Sequence, residues 1–201
     1  LRDGGRYRFR RHGCFIQKIV NTACDAFGHP LGYTLEPTPA RPHWQPKTYN
    51  ALHGGMERWF APLEANMANQ TVWHHLLGQL GLIFSAASGL DTWHIEAHPF
   101  RINTADGVGR PTPEGAHRDG VDYVAVILVN RVGISGGETR IFEQHGVHGV
   151  RFTLTESWSA VLLDDQQVIH ESTPIQPLSD SSVSHRDTLV ITYRHAGFQA
   201  A

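Results

Sequence analysis

Cysteine is scarce in this sequence, which limits both the folds and the compartments to consider. Cys14 and Cys24 are the only cysteines among 201 residues. Two cysteines are too few for a disulfide scaffold, and their spacing matches no metal-binding motif. A reducing compartment is therefore expected, and the cytoplasm is the default.

Long apolar segments and a strong net charge are also lacking. The most apolar stretch, Leu76 to Leu90, contains polar residues and is shorter than the roughly 20 residues that span a bilayer. No signal peptide is recognisable, although the chain begins with Leu rather than Met, which leaves open what precedes Leu1. The formal net charge of −2 creates no field that would gather nucleic acid or anionic lipid. We expect a small-molecule ligand, and no nucleic-acid or membrane partner.

The start of the chain is the one strongly basic segment. It contains Arg2, Arg6, Arg8, Arg10 and Arg11. A short arginine run is most often a solvated edge strand or a loop, so no nucleic-acid role is assigned to it.

The overall composition predicts a single globular domain. Hydrophobic residues make up 40% of the chain and charged residues 18%, the profile of a protein that folds around a core. A length of 201 residues is enough for one such domain. Fourteen histidines stand against two methionines, and this excess favours metal or acid–base chemistry because imidazole is the commonest metal ligand.

Apolar periodicity divides the chain into two parts. From Pro62 to about Ala87 apolar residues recur at helical spacing, although Gly78 and Gly81 weaken the middle, which predicts one or two helices. After Ser88 and Gly89, short apolar or alternating runs separated by turn residues predict strands. The predicted strands are Trp93–Ile102, Tyr123–Val129, Thr139–Phe142, Val150–Thr155, Ser159–Leu163, Val168–His170 and Thr188–Tyr193. We expect a helical layer, roughly residues 1–90, on a double-sheet jelly-roll core, roughly residues 91–201.

His117 and Asp119 form the best candidate for a metal site. Two residues apart on an extended strand, their side chains leave the same face and can bind one ion. A histidine from another strand would complete a face of two imidazoles and one carboxylate that leaves three positions open on iron(II). His170, at a strand end about 50 residues later, has enough intervening chain to return beside them. His185 and Asp187 repeat the spacing, but only His195 follows them as a partner.

Arg186 and Thr188 are candidates for holding an anionic co-substrate. They share one face at the start of an otherwise apolar strand. A guanidinium holds a carboxylate with two parallel hydrogen bonds, and a hydroxyl can add a third. The distal carboxylate of 2-oxoglutarate would fit such a pair. The plainer alternative is a surface ion pair of Arg186 with Asp187 or Asp180.

The run from about Trp93 to Tyr193 resembles bacterial 2-oxoglutarate- and iron-dependent dioxygenases that include the L-isoleucine 4-hydroxylases. The resemblance is carried by residues 113–124 (PEGAHRDGVDYV), Asn130-Arg131, Gly136-Gly137-Glu138, His170 with Thr173-Pro174-Ile175, and residues 185–190 (HRDTLV). The upstream run at residues 49–60 (YNALHGGMERWF) is also similar, whereas the segment between Gly137 and Val161 matches loosely.

The resemblance implies a double-stranded β-helix fold, iron held by His117, Asp119 and His170, and the co-substrate carboxylate held by Arg186. It also implies hydroxylation of an unactivated side-chain carbon of an L-amino acid, free or substituted on nitrogen, with release of succinate and CO2. For the substrate itself, Arg58, Arg101 and Arg131 are candidate cations, and Asp122 and Tyr123 lie near the metal ligands in sequence. Neither the amino acid nor the oligomeric state follows from the sequence.

Two other functions remain open at this point. A cupin-type metalloenzyme would use the same three ligands without 2-oxoglutarate, and Arg186 would then matter little. A non-enzymatic β-sandwich binding module would carry its histidines incidentally and would need no metal.

Overall fold

The computed structural model describes residues 7–28, 30–50, 52, 54–105, 107–179 and 184–200. Its strands are β1 Arg8–Cys24, β2 Pro30–Pro37, β3 Ala61–Pro62, β4 Thr92–Asn103, β5 Tyr123–Val132, β6 Ile134–Gly136, β7 Thr139–Glu143, β8 Gly149–Phe152, β9 Ala160–Asp164, β10 Val168–Ser172, β11 Ile175–Pro177 and β12 His185–Arg194. Its helices are α1 Ala65–Ala68 and α2 Thr71–Ser88. All seven strands predicted from the sequence are present.

The strands form one large sheet and two small ones. The large sheet has the order β2-β1-β4-β12-β5-β9, all antiparallel, and β3 pairs with β1 in parallel. The small sheets are β10-β7-β8 and β11-β6. This arrangement, mainly β with flanking helices, confirms the predicted jelly-roll class.

The central strand β12 has one face in the hydrophobic core and the other in a cavity. Leu189, Ile191 and Tyr193 point to the face covered by α2 and belong to the main hydrophobic cluster. The alternate residues Arg186 and Thr188 face the opposite side and line a cavity. Because side chains alternate along a strand, a single strand can pack a core on one face and build a site on the other.

The two glycines in α2 let the helix lie close against the large sheet. Side chains of the sheet reach the helix backbone: Tyr193 Oη donates to Leu77 O at 2.8 Å, and Gln17 Nε2 donates to Gly78 O at 2.8 Å. A Cβ at Gly81 would collide with the Gln17 amide, and one at Gly78 would collide with the Tyr33 ring. The close packing therefore requires glycine at both positions. The same two glycines are the residues that weaken the helical pattern in the sequence.

The prediction of a helical layer over residues 1–90 is wrong for the first half of that range. Residues 8–24 and 30–37 are strands β1 and β2 of the large sheet, and helix occupies only residues 65–68 and 71–88. The sequence pattern did not predict β1 as a strand, because the inner face of β1 carries charged and polar residues instead of aliphatic ones. The single-domain organisation stays a prediction.

The basic run at the start of the chain also differs from expectation. Arg8 and Arg10 are buried, 8% and 4% exposed, on a strand that lies between β2 and β4. They are therefore not part of a solvated edge, whereas Arg11 is partly exposed beside Glu64. Arg2 and Arg6 lie outside the described residues.

Within the described ranges, neither helix has the length and hydropathy needed to cross a lipid bilayer.

The glycine argument predicts the sign of a substitution in α2. Helix propensity alone would make Gly81→Ala stabilising by about 1 kcal/mol. The collision with Gln17 should instead lower the free energy of unfolding by about 1–3 kcal/mol, as overpacked cores do. Thermal and urea unfolding measure the difference, with exposed Gln79→Ala as a control that should change little. A more stable Gly81→Ala variant would contradict the packing described here.

Candidate active site

His117, Asp119 and His170 converge at one end of the jelly roll. His117 and His170 form an isolated antiparallel bridge, in which each backbone N–H donates to the other residue's carbonyl at 3.0 and 2.9 Å. Their rings lie 4.7 Å apart, centroid to centroid. Asp119 Oδ1 is 3.8 Å from His117 Nε2, and Asp119 Oδ2 is 3.6 Å from His170 Nε2. One nitrogen or oxygen from each residue could therefore contact a single ion.

The charge states of these residues suit a metal ion. Burial lowers the pKa of His170 to about 4, so its imidazole is neutral and keeps a lone pair for a metal. Burial of Asp119 opposes ionisation, but the neighbouring His117 and His170 outweigh it and lower the pKa of this carboxyl. His117 Nδ1 is 3.1 Å from Gly115 O and can donate to it, while its Nε2 is the ring nitrogen that faces Asp119. An imidazole lone pair on His170 and the Asp119 carboxylate are therefore available to a metal ion.

Asp165 holds the loop that carries Asp119. Its carboxylate is fully buried and accepts backbone N–H bonds from Asp119, Gly120 and Val121 at 3.0, 2.8 and 3.1 Å. Gln45 Nε2 adds a bond of 3.2 Å to Asp119 Oδ1. Burial and the nearby Asp119 charge raise the pKa of Asp165 to about 6. Sequence reasoning missed both Asp165 and Gln45, since nothing local in the sequence marks their contact with residue 119.

Arg186 and Thr188 lie on the wall of the same cavity as the three convergent residues. The cavity has a volume of about 100 Å³. Arg186 is 3% exposed, and its Nε and Nη2 atoms are buried without a hydrogen-bond partner among the described residues. Burial, with a contribution from Arg131, lowers its pKa to about 10, so the group stays charged near neutral pH. A buried guanidinium without an acceptor indicates a site for an anion.

The other predicted substrate residues divide into one that reaches the cavity and three that do not. Arg58 lines the cavity. Arg101 is half-exposed and forms a two-bond ion pair with Asp187 at 2.6 and 2.7 Å. Tyr123 stacks on Phe84 in the core under α2, and Arg131 Nη2 donates to Gly136 O. Arg101, Tyr123 and Arg131 are therefore not placed to contact a ligand in this cavity.

Asp122, which is near the metal ligands in sequence, is hydrogen-bonded to other residues of the chain. Its Oδ2 accepts from the backbone N–H of His195 at 2.8 Å and lies 2.9 Å from the His195 ring, and its Oδ1 accepts from Gln166 at 2.8 Å. The alternative metal pair also lies outside this cavity: Asp187 is hydrogen-bonded to Arg101, and its Oδ2 is 3.5 Å from His185 Nε2. The proposed surface partner Asp180 lies outside the described residues.

A second histidine cluster is formed by side chains of β1, of β4 and of the segment that carries His43. His12, His43, Glu96 and His98 are buried, and the arrangement of their ligand atoms could also hold a metal ion. His43 Nδ1 is 2.6 Å from Glu96 Oε2, and Arg10 Nη2 is 3.0 Å from His98 Nδ1. Arg10 Nη2 also lies 3.4 Å from His98 Nε2, and that nitrogen is 3.6 Å from Glu96 Oε2. These side chains therefore contact one another in a buried network, and His12 and Glu96 do not line the cavity that contains Arg186, whereas His117, Asp119 and His170 all do. For that reason the latter three are the preferred candidate iron ligands.

Fold and cavity together define a class of protein. A jelly roll that brings two imidazoles, one carboxylate and a buried guanidinium to one cavity has the parts of a non-haem iron oxygenase with an anionic co-substrate. Residues 1–192 match the family described as 2OG-Fe dioxygenase. The chain belongs to this family, and it is a non-haem iron dioxygenase that uses iron(II) and 2-oxoglutarate.

Solved structures agree with this assignment. A bsmA homolog from Methylobium petroleophilum PM1 is 57% identical, with a TM-score of 0.86 over 100% of this chain and 76% of the other. IDO from Bacillus thuringiensis is 18% identical with a TM-score of 0.70, and covers 94% and 75% of the two chains. The Fe(II)/(alpha)ketoglutarate-dependent dioxygenase TqaL is 18% identical with a TM-score of 0.62, over 94% and 67%. The last two support the fold alone. Comparison with curated proteins gives no match.

The role of Asp165 can be tested through metal affinity. Asp165→Asn replaces one acceptor oxygen by an NH2 group that faces backbone N–H donors, so the loop bearing Asp119 should loosen. We expect about 10–100-fold weaker iron(II) binding, the usual cost of losing a group that supports a ligand, measured by anaerobic titration. Asp164→Asn is the matched control, because asparagine keeps the oxygen that accepts from the Gln166 N–H. Unchanged iron affinity in Asp165→Asn would show that the loop is held by other contacts.

The two histidine clusters can be distinguished by metal content. His170→Ala should remove most of the bound iron, because a two-residue remainder cannot complete the facial ligand set. His98→Ala should retain about one iron per chain, if the hydrogen-bond network needs no ion. Metal analysis of both anaerobically loaded variants, with circular dichroism to check folding, measures this. Loss of iron in His98→Ala combined with retention in His170→Ala would reverse the assignment.

Proposed function

We propose that this dioxygenase hydroxylates an unactivated side-chain carbon of an L-amino acid, free or substituted on nitrogen, with iron held by His117, Asp119 and His170. In this class iron(II), 2-oxoglutarate and dioxygen supply the oxidation, in which the co-substrate loses CO2 to become succinate and one oxygen atom enters the substrate. The observation that carries the ligand proposal is the convergence of the three side chains within one cavity.

The protein's own part is placement. His117, Asp119 and His170, from two separated stretches of chain, would hold the ion on one side and would leave the co-substrate and dioxygen access to the other. The partly buried site limits the access of water, and it needs no residue that acts as a general base. Asp165 and Gln45 fix the Asp119 carboxylate, and the His117–His170 bridge fixes the distance between the two imidazoles.

Arg186 and Thr188 are proposed to hold the distal carboxylate of 2-oxoglutarate. Both side chains leave the cavity face of β12, and both are almost fully buried, at 3% and 4% exposure. The two buried Arg186 nitrogens without partners supply the parallel donors that a carboxylate needs. The fit of the co-substrate to this chain is therefore supported by a feature of the protein itself.

Family membership bears on the two alternatives. A cupin-type enzyme without 2-oxoglutarate and a non-enzymatic β-sandwich module share the jelly-roll architecture, but neither explains the match to the 2OG-Fe dioxygenase family over residues 1–192. The amino-acid substrate has a narrower basis. It rests on the motif resemblance and on a cavity that presents both guanidinium and carboxylate groups.

Substitution of Arg186 tests the co-substrate site. Arg186→Lys keeps the charge but loses the fork of parallel donors, so the Kd for 2-oxoglutarate should rise about tenfold or more, and Arg186→Met should raise it further. Calorimetric titration of the iron-loaded protein under argon gives the Kd without turnover. Arg101→Met, which removes an exposed arginine outside the cavity, is the matched control and should bind normally. Normal binding by Arg186→Met would favour the cupin-type alternative.

A further inference from the structure

Glu114 is a second carboxylate in the cavity, and the assignments above leave it unused. It lines the cavity beside His117, and its side chain is only 7% exposed. Its Oε2 atom is buried and has no hydrogen-bond partner among the described residues. A buried carboxylate oxygen is stabilised by a hydrogen-bond donor or a cation, and a bound ligand could supply one.

The nearest nitrogen cannot serve as the lasting partner. Glu114 Oε1 lies 3.7 Å from His117 Nε2. That distance is longer than a hydrogen bond. Nε2 is also the atom that would bind iron. Glu114 therefore lines the cavity with a carboxyl group whose Oε2 receives no hydrogen bond from the described residues.

The position of Glu114 is fixed by its neighbours in the turn. Gly115 adopts a φ of +81°, which favours glycine, and its N–H donates to Thr112 O at 3.1 Å. Thr112 Oγ1 bonds to both the carbonyl and the N–H of Ser172, each at 3.0 Å. Ser172 is on β10, the strand that carries His170. The turn that carries Glu114 is thus tied to the strand that carries His170, which suits a preorganised binding group.

We propose that Glu114 receives the ammonium group of the substrate, so that a free α-amine is part of what the enzyme recognises. The inference rests on the proposed amino-acid hydroxylase function and chooses between its two substrate forms. Carboxylate oxygens are strong acceptors for an ammonium group, and the guanidinium groups of Arg8, Arg10 and Arg58 line the same cavity for the substrate carboxylate. An N-acylated amino acid has no positive charge and would leave Glu114 uncompensated.

Two of the arginines that line the cavity, Arg10 and Arg58, are also held in place by neighbouring side chains. The Arg10 guanidinium carbon lies 4.2 Å from the centre of the Phe60 ring, and its Nη2 donates to His98 Nδ1. Arg58 Nη2 donates to Gln45 Oε1 at 3.3 Å, the residue that also contacts Asp119. Opposite charges on fixed supports around one small cavity are the complement of a zwitterion.

The test measures binding without turnover. Wild-type protein loaded with iron(II) and 2-oxoglutarate under argon is titrated calorimetrically with L-leucine, L-isoleucine and L-methionine. The tightest binder is then compared with its N-acetyl derivative and with the desamino acid of the same carbon skeleton. We expect the free amino acid to bind about tenfold or more tightly than either analogue, as loss of a buried charge pair implies.

Glu114→Gln should remove this preference. The Kd of the amino acid should rise to about that of the two amine-free analogues, whose own Kd should not change, and iron and 2-oxoglutarate should bind as in wild type. Glu36→Gln, on the exposed face of β2, is the matched control and should keep the preference.

Several results would overturn the inference. These are an analogue that binds wild type as tightly as the amino acid, no binding by any of the three amino acids, and an undiminished preference in Glu114→Gln. Loss of iron in Glu114→Gln would make Glu114 a metal ligand instead. Failure of the proposed function would look different: wild type would bind no 2-oxoglutarate, or would give no succinate from 2-oxoglutarate when stripped and reloaded with iron(II) in air.

Discussion

The site depends first on one fully buried carboxylate. Asp165 accepts three consecutive backbone N–H groups, from Asp119, Gly120 and Val121. These bonds set the path of the loop after His117, and that path determines where the Asp119 carboxylate points. Asp165 itself is placed by the turn between β9 and β10, and β10 also carries His170. A single acceptor thus ties together the two stretches of chain that supply the candidate ligands, and its burial makes the connection rigid.

The two faces of the large sheet have different roles: one packs the hydrophobic core and the other lines the cavity. On the side of α2, aromatic and aliphatic residues such as Trp93, Ile191 and Tyr193 are completely buried. On the other side the same strands carry Arg10, Glu96 and Arg186, whose burial is unfavourable without partners. The apolar face offsets that cost, since burial of each large apolar side chain contributes roughly 1.5–3 kcal/mol. The cavity can therefore hold charged groups in positions that suit a ligand.

The sequence allowed prediction of features that depend on local spacing. His117 with Asp119, and Arg186 with Thr188, share strand faces as period-two alternation requires, and the strands from residue 92 onward follow their apolar patterns. The same rule failed for β1, where Arg8, Arg10 and His12 occupy inward positions that are apolar in an ordinary strand. Contacts between residues far apart in the sequence could not be predicted either. Asp165 meets the Asp119 N–H across 46 positions, and Gln45 meets its side chain across 74.

The excess of histidine in the composition does not by itself show where a metal site lies. His12, His43 and His98 are as deeply buried as His170, and their burial lowers the pKa of each, as it does for His170. What distinguishes the two clusters is their position relative to the cavity. His117, Asp119 and His170 all line the cavity that contains the buried Arg186 guanidinium, whereas His12 and Glu96 do not. The position of an imidazole beside a cavity with convergent polar groups, more than its burial, therefore makes it a candidate ligand.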